Sequence, residues 1–84
     1  MAENAEAVRA QIATILSENF SVSPDAVTDD ATFRGALGLD SLDVVDFVFF
    51  VQQGFGFEAQ LADYRTLHSV KDLVAFVQEK TASA

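Results

Sequence analysis

Ser41, set between Asp40 and Asp43, and the lone His68 are the residues of this chain whose types could do chemistry. A serine hydroxyl works in one of two ways. As a nucleophile of its own protein it needs a histidine base, itself oriented by an acid. His68 lies far along the chain, and no Asp–His pairing can be read from the sequence. As a hydroxyl that a second enzyme modifies, it needs only exposure, a mobile approach and a recognisable flank. Asp43 and Asp46 could form a carboxylate pair for acid–base work, but on a helix surface solvated acids are the usual reading. There is no Cys, hence no disulfide, no thiolate metal site and no thiol nucleophile. One His cannot make a zinc site without help. With no Gly-rich phosphate loop either, nothing remains from which to build a catalytic or metal site, and an enzyme is excluded. Any thiol chemistry must arrive on something attached.

Composition narrows the partners. The chain has 84 residues, five Lys and Arg against thirteen Asp and Glu, and a formal charge of −8. This balance argues against nucleic acid, which requires a basic footprint. It favours a soluble, self-repelling monomer that meets basic partner surfaces. The length gives one domain over residues 1–84. A chain of this size buries about 60–65% of the surface its unfolded form exposes, so stability is modest. The N-terminal stretch is acidic, unlike a signal peptide. The longest near-apolar run, 42–51, contains Asp43 and Asp46 and is too short and too charged for stable membrane insertion. The cytoplasm is the expected compartment.

The elements that must position Ser41 are helical. Val8, Ile12, Ile15 and Leu16 share one face at helical spacing, giving a first helix over roughly residues 3–18, with Glu3 and Glu6 near its positive end. Residues 19–40 carry no sustained period. Ser23-Pro24-Asp25 and Thr28-Asp29-Asp30 are turn chemistry. A loop this long is usually functional or pinned, and Phe20, Val22, Val27, Phe33 and Leu37 are the expected pins. Gly35 and Gly38 free the backbone before the next helix. The second helix starts at Asp40-Ser41, with Asp40 as N-cap and Asp43 three residues on. It runs to about Gln53 and stops at Gly54. Leu61–Arg65 forms one short helical turn. The last long helix begins after Ser69, with Asp72 at capping-box spacing and Val70, Leu73, Val74 and Val77 on its inner face. The tail 81–84 frays. No strand signal competes. The expected fold is all-α: a small four-helix bundle of three longer helices and one short third helix, with a long loop between helices 1 and 2.

The second helix is apolar on two sides. Val44, Phe47, Val48, Val51 and Phe55 form the core stripe. Leu42, Val45 and Phe49 form another, nearly opposite. A buried central helix would explain both. In a chain this small, however, there is no interior left to cover the second stripe, and an exposed apolar strip marks an interaction site. Asp40, Asp43 and Asp46 flank it and would orient a basic partner. Ser41 sits beside it, where free N–H groups and the helix dipole suit an attached anion.

Gly38-Leu39-Asp40-Ser41-Leu42-Asp43, in an acidic chain of this length, resembles the acyl carrier proteins. The likeness covers nearly the whole chain. Thr28–Phe33 is similar to the family's loop before its modified serine, Phe55-Gly56-Phe57-Glu58 to the segment after helix 2, and Ser69–Leu73 to the start of the last helix. The resemblance implies a right-handed or up-down four-helix bundle. It implies that Ser41, between Asp40 and Leu42, is esterified by 4′-phosphopantetheine, donated from coenzyme A by a phosphopantetheinyl transferase. The arm's thiol carries acyl groups as thioesters, and the protein presents them to acyl-transferring and acyl-modifying enzymes of fatty-acid, polyketide or other specialised lipid synthesis. The family can also shelter the chain between its helices. Asp40, Asp43 and Asp46 match acidic positions of its recognition helix, beside Leu42, Val45 and Phe49. Aminoacyl cargo would use the same serine. An unmodified acidic module that binds a protein through the same strip is the alternative from another class.

The departures from the family pattern lie on the docking side. Gln52, Gln53 and Gly54 stand where acids are usual, and Arg34-Gly35-Ala36 replaces an acidic stretch before the serine. Ala59–Tyr64 replaces a Pro and an acidic short helix, and Phe49-Phe50 is bulkier than the usual pair. Burying one exposed Phe is worth about 1.5–3 kcal/mol, against about 0–1 for an exposed ion pair. Partners chosen by shape more than charge, and a dedicated carrier distinct from the housekeeping one, are expected. Leu61, Tyr64 and Leu67 either line an acyl cleft or simply pack in the core. His68 is expected to serve local packing or a hydrogen bond.

Overall fold

The computed structural model describes residues 4–82, the side chains of Leu61 and Ala82 excepted. Three α-helices, α1 (Ala5–Phe20), α2 (Ser41–Phe55) and α3 (Val70–Ala82), are joined by segments that contain two 3₁₀ turns, Pro24–Ala26 and Leu61–Thr66. The expected short third helix is thus the second 3₁₀ turn. Its ring closures are i→i+3: Asp63 N–H donates to the Gln60 carbonyl at 2.9 Å and Leu67 N–H to the Tyr64 carbonyl at 3.1 Å.

Helix α1 packs against both α2 and α3. The face expected from spacing is the buried one: Val8, Ile12, Ile15 and Leu16. It meets Phe47, Val48 and Val51 of α2 and Val70, Leu73, Val74 and Val77 of α3 in one core. Val44 and Phe55, at the ends of the expected α2 stripe, are only half-buried against it. Phe47 joins the layers, its ring edge-on to Phe20 at 6.0 Å and tilted over Phe33 at 5.6 Å. Phe20 and Val22 pack on the core from its rim, whereas Val27, Phe33 and Leu37 are buried.

The helix ends differ from the sequence expectation in informative ways. Helix α1 starts at Ala5, because Asn4 caps it by accepting from Ala7 N–H at 2.8 Å; Glu3 lies outside the described residues. Helix α2 passes through Gly54 and ends at Gly56, which takes the left-handed conformation (φ 74°) and donates to the Gln52 carbonyl at 2.9 Å. Gly54 serves packing instead of termination. A Cβ there would sit 3.2 Å from Gln11 Nε2 and 3.5 Å from Ile15 Cδ1, and its carbonyl accepts from Gln11 Nε2 at 2.9 Å. Helix α3 includes Thr81 and Ala82, so of the tail expected to fray, only 83–84 lie outside the described residues.

The long α1–α2 connection is fastened to the start of α3. Phe33 N–H donates to the His68 carbonyl at 3.2 Å, Val70 N–H to Ala31 at 2.9 Å and Lys71 N–H to Asp29 at 3.0 Å. Thr32 and Ser69 form an isolated antiparallel bridge that helical periodicity does not reveal. The Val70 and Lys71 bonds satisfy N–H groups of the first turn of α3, which have no intrahelical acceptor. Asp72 takes two more, from His68 N–H at 3.1 Å and Ser69 N–H at 3.3 Å. The His68 bond first, and the Ser69 bonds with it, hold the Asp72 carboxyl below its usual range. That contribution is present above the ordinary carboxylate pKa and is lost as pH falls through the lowered one.

Candidate site at the start of helix α2

The fastened loop delivers Ser41 to the first position of α2. Leu37 N–H donates to the Thr32 carbonyl at 3.0 Å and Leu39 N–H to Phe33 at 2.8 Å. Leu37 and Leu39 are buried, and Gly38 between them turns with φ 66°. Asp40 then caps the helix. Its Oδ1 accepts from Asp43 N–H at 2.9 Å, and Asp43 Oδ2 accepts in return from Asp40 N–H at 3.4 Å. This reciprocal box fixes both carboxylates on the first turn and leaves Ser41 exposed. Among the described residues the Ser41 hydroxyl meets no base: Arg34 Nη2 donates to its Oγ at 2.6 Å. His68 is exposed and lines the adjoining cleft, and its backbone carries the local hydrogen bonds. No metal-holding group of His, Cys, Asp and Glu exists among the described residues.

The two apolar faces of α2 have different fates. Phe47, Val48 and Val51 enter the core, whereas Leu42 is 78% exposed, Val45 47% and Phe49 59%. Among the described residues these three are the large apolar side chains most open to solvent. They form a ridge that starts next to Ser41. Asp40 and Asp46 are exposed and Asp43 is half-buried, so acid borders the ridge.

Next to Ser41, and sharing Val45 with the ridge, an open cleft of about 640 Å³ runs between the loop, α2 and the second 3₁₀ turn. Phe33, Val44, Val45 and Leu67 give it apolar walls, and Arg34, Arg65 and His68 a basic rim. Tyr64 and Leu67 line it, and Tyr64 also belongs to the core with Leu67 packed against it; the Leu61 side chain lies outside the described residues. Neither the Arg34–Ser41 contact nor the basic rim follows from sequence reasoning. The break from an acidic to a basic residue at Arg34 is the signal that points toward them.

Tyr64 is buried, and its hydroxyl has no hydrogen-bond partner among the described residues. Burial, reinforced by Asp63 and opposed by nearby Gln52, pushes its pKa up to about 12. Below pH ~10 both folded and unfolded chains keep the proton and stability is unaffected. Between about 10 and 12 the unfolded chain releases it first, so stability falls as pH rises through that range. Tyr64→Phe should therefore flatten the alkaline decline in melting temperature. At neutral pH it should be neutral or mildly stabilising, because it deletes an unpartnered polar atom. Thermal melts of both proteins from neutral to strongly alkaline pH measure this.

Residues 10–77 match the family model described as "Phosphopantetheine attachment site". The chain is 37% identical over 68 residues to an acyl carrier protein of Campylobacter hominis, covering 81% of this chain and 86% of the relative. It is 33% identical to that of Thermotoga maritima, covering 89% and 93%. It is also 33% identical to that of Zymomonas mobilis, covering 98% and 100%. An exposed serine on a capped helix start, an arginine on its oxygen and a cleft alongside fit a covalently attached phosphate ester, and with these matches the chain belongs to the acyl carrier protein family, whose prosthetic group is 4′-phosphopantetheine.

Proposed function

We propose that Ser41 is the attachment point of the arm and that the protein carries acyl groups as thioesters without catalysing their chemistry. The observation that carries this reading is the exposed Ser41 hydroxyl at the start of α2, next to both the apolar ridge and the cleft. The Ser41 Oγ attacks the phosphorus of coenzyme A that bears the pantetheine. The Oγ–P bond forms, the anhydride P–O bond breaks, and adenosine 3′,5′-bisphosphate leaves. The hydroxyl proton passes to a base on the phosphopantetheinyl transferase, since the described residues supply none at Ser41. The arm then brings the thiol that a Cys-free chain lacks.

Leu42, Val45 and Phe49 are the proposed docking contacts for the transferase and for acyl-transferring and acyl-modifying enzymes, with Asp40, Asp43 and Asp46 steering basic surfaces toward them. The cleft shelters cargo. A monomeric single domain of the cytoplasm accommodates all of this, and among the described residues no helix is long and apolar enough to cross a membrane. The ridge is broad and apolar, and Gln52 and Gln53 follow it where acids are usual in the family. Gln52 is engaged structurally, its Oε1 accepting from Ala59 N–H at 3.1 Å. Recognition therefore leans on shape, which suits a carrier dedicated to one specialised lipid or polyketide route. Incubation with coenzyme A and a broad-specificity transferase should add one phosphopantetheine per chain by intact mass. The resulting holo-protein should be a poor substrate for housekeeping fatty-acid elongation enzymes. Elongation at the rate of a housekeeping carrier would overturn the dedicated role.

A further inference from the structure

Three basic side chains gather at one place in a chain of charge −8. Elsewhere, Arg9 pairs with Asp29 at 2.8 Å, Lys71 with Asp30 at 3.4 Å, and the Lys80 ammonium lies 5.4 Å from the centre of the Phe76 ring. Arg34, Arg65 and His68 instead share the cleft beside Ser41, and among the described residues none of the three forms a salt bridge. Arg34 is the one in contact with the proposed tether point, with Nη2 on Ser41 Oγ at 2.6 Å.

The loop holds Arg34 in place. Thr32 Oγ1 accepts from Ala36 N–H at 3.3 Å, and Leu37 and Gly38 N–H groups close the turn onto Thr32 and Gly35. A Cβ at Gly35 would collide with the Thr32 hydroxyl oxygen, so glycine after Arg34 leaves that hydroxyl free to keep its bond to Ala36 N–H. A neutral hydroxyl oxygen uses one of the five donors of a guanidinium. The group that matches the planar fork is a phosphate, through two parallel N–H···O bonds.

We infer that Arg34 is a positioning residue for the arm: once Ser41 is esterified, its guanidinium passes from Oγ to the non-bridging phosphodiester oxygens and turns the root of the arm into the cleft, leaving Leu42 and Phe49, which do not line it, uncovered. The inference rests on the proposed attachment at Ser41. Esterification places a negative charge beside Asp40 and Asp43, which the capping box holds on the same helical turn. The positive end of the α2 dipole offsets part of that repulsion, and Arg34 offsets more. The non-bridging oxygens lie two bonds from Oγ, across the phosphorus, so a donor already on Oγ reaches them by a small rotation. Leu42 and Phe49 stay clear for a partner, whose own cations can compete for the phosphate and draw the arm out.

The test is 31P transverse relaxation of the holo-protein, compared among wild type, Arg34→Gln and Arg34→Lys at low salt. An exposed, well-oriented charge pair corresponds to a docked-to-free ratio of about two- to fivefold. Wild-type phosphorus should accordingly relax faster than that of Arg34→Gln, with Arg34→Lys between them because it keeps charge and loses the fork. About 1 M salt, where the screening length is near 3 Å, should bring wild type to the Arg34→Gln value. Equal relaxation in the three proteins overturns the inference. Should Arg34→Gln escape modification, the wild-type salt series decides alone, and relaxation indifferent to salt overturns it. The two readings separate by mass: an arm that is attached but indifferent to Arg34 refutes only this inference, whereas a wild-type chain that takes no arm refutes the attachment as well.

Discussion

Ser41→Ala should abolish attachment of phosphopantetheine while leaving the fold intact. The substitution removes one exposed hydroxyl from the first position of α2. The cap is untouched, because Asp40 and Asp43 exchange their two hydrogen bonds without Ser41. Alanine is a good helix former, so the loss of the Arg34 contact should change stability by less than about 0.5 kcal/mol. The helical circular dichroism and melting temperature should match wild type, and the intact mass should show no gain under conditions that modify wild type completely. A substantial gain on Ser41→Ala would place the arm on another hydroxyl and dissolve the account of the site.

Phe49→Asp should have the second largest effect, on docking and not on folding. Phe49 is 59% exposed and touches Phe50 edge-on at 6.5 Å, so little core packing is lost. At an interface the change removes about 1.5–3 kcal/mol of apolar burial and adds a desolvated charge, together about 100-fold or more in binding. The kcat/KM of an acyl-transferring partner with the holo-variant should fall by about that factor. The melting temperature should stay within a few degrees of wild type. A variant loaded and processed at the wild-type rate would show that partners do not use the ridge. Phe47, two residues away, supplies the contrast: it is buried between Phe20 and Phe33, so its truncation would destabilise the fold itself.

Much of this division is legible in the order of the amino acids. Helical spacing alone assigns Val8, Ile12, Ile15 and Leu16, and later Val70, Leu73, Val74 and Val77, to the interior, because amphipathic periodicity is a local property. It also separates Phe47 from Phe49 on α2, and chain length argues that the second stripe has nothing to cover it. Non-local pairing is not legible. The ladder from residues 29–33 to 68–71 joins a turn-rich loop to a helix start, and neither carries a strand pattern. Gly54 misleads for a related reason. A glycine late in a helix signals termination locally, but here it admits Gln11 and Ile15 of α1, and Gly56 does the terminating. At the site, the Asp-Ser-Leu flank and its cap are readable from sequence. The reach of Arg34 back to Ser41 depends on the turn at 32–37, which only the fold sets.

The most direct measurement of the central claim is peptide-level mass spectrometry of wild-type protein after transfer from coenzyme A. The whole of the added phosphopantetheine should reside on the peptide that contains Leu39-Asp40-Ser41-Leu42, with fragmentation placing it on the Ser41 side chain. Phosphopantetheine on any other serine or threonine, or a chain left unmodified by several transferases while it still binds a partner through Leu42 and Phe49, would contradict it.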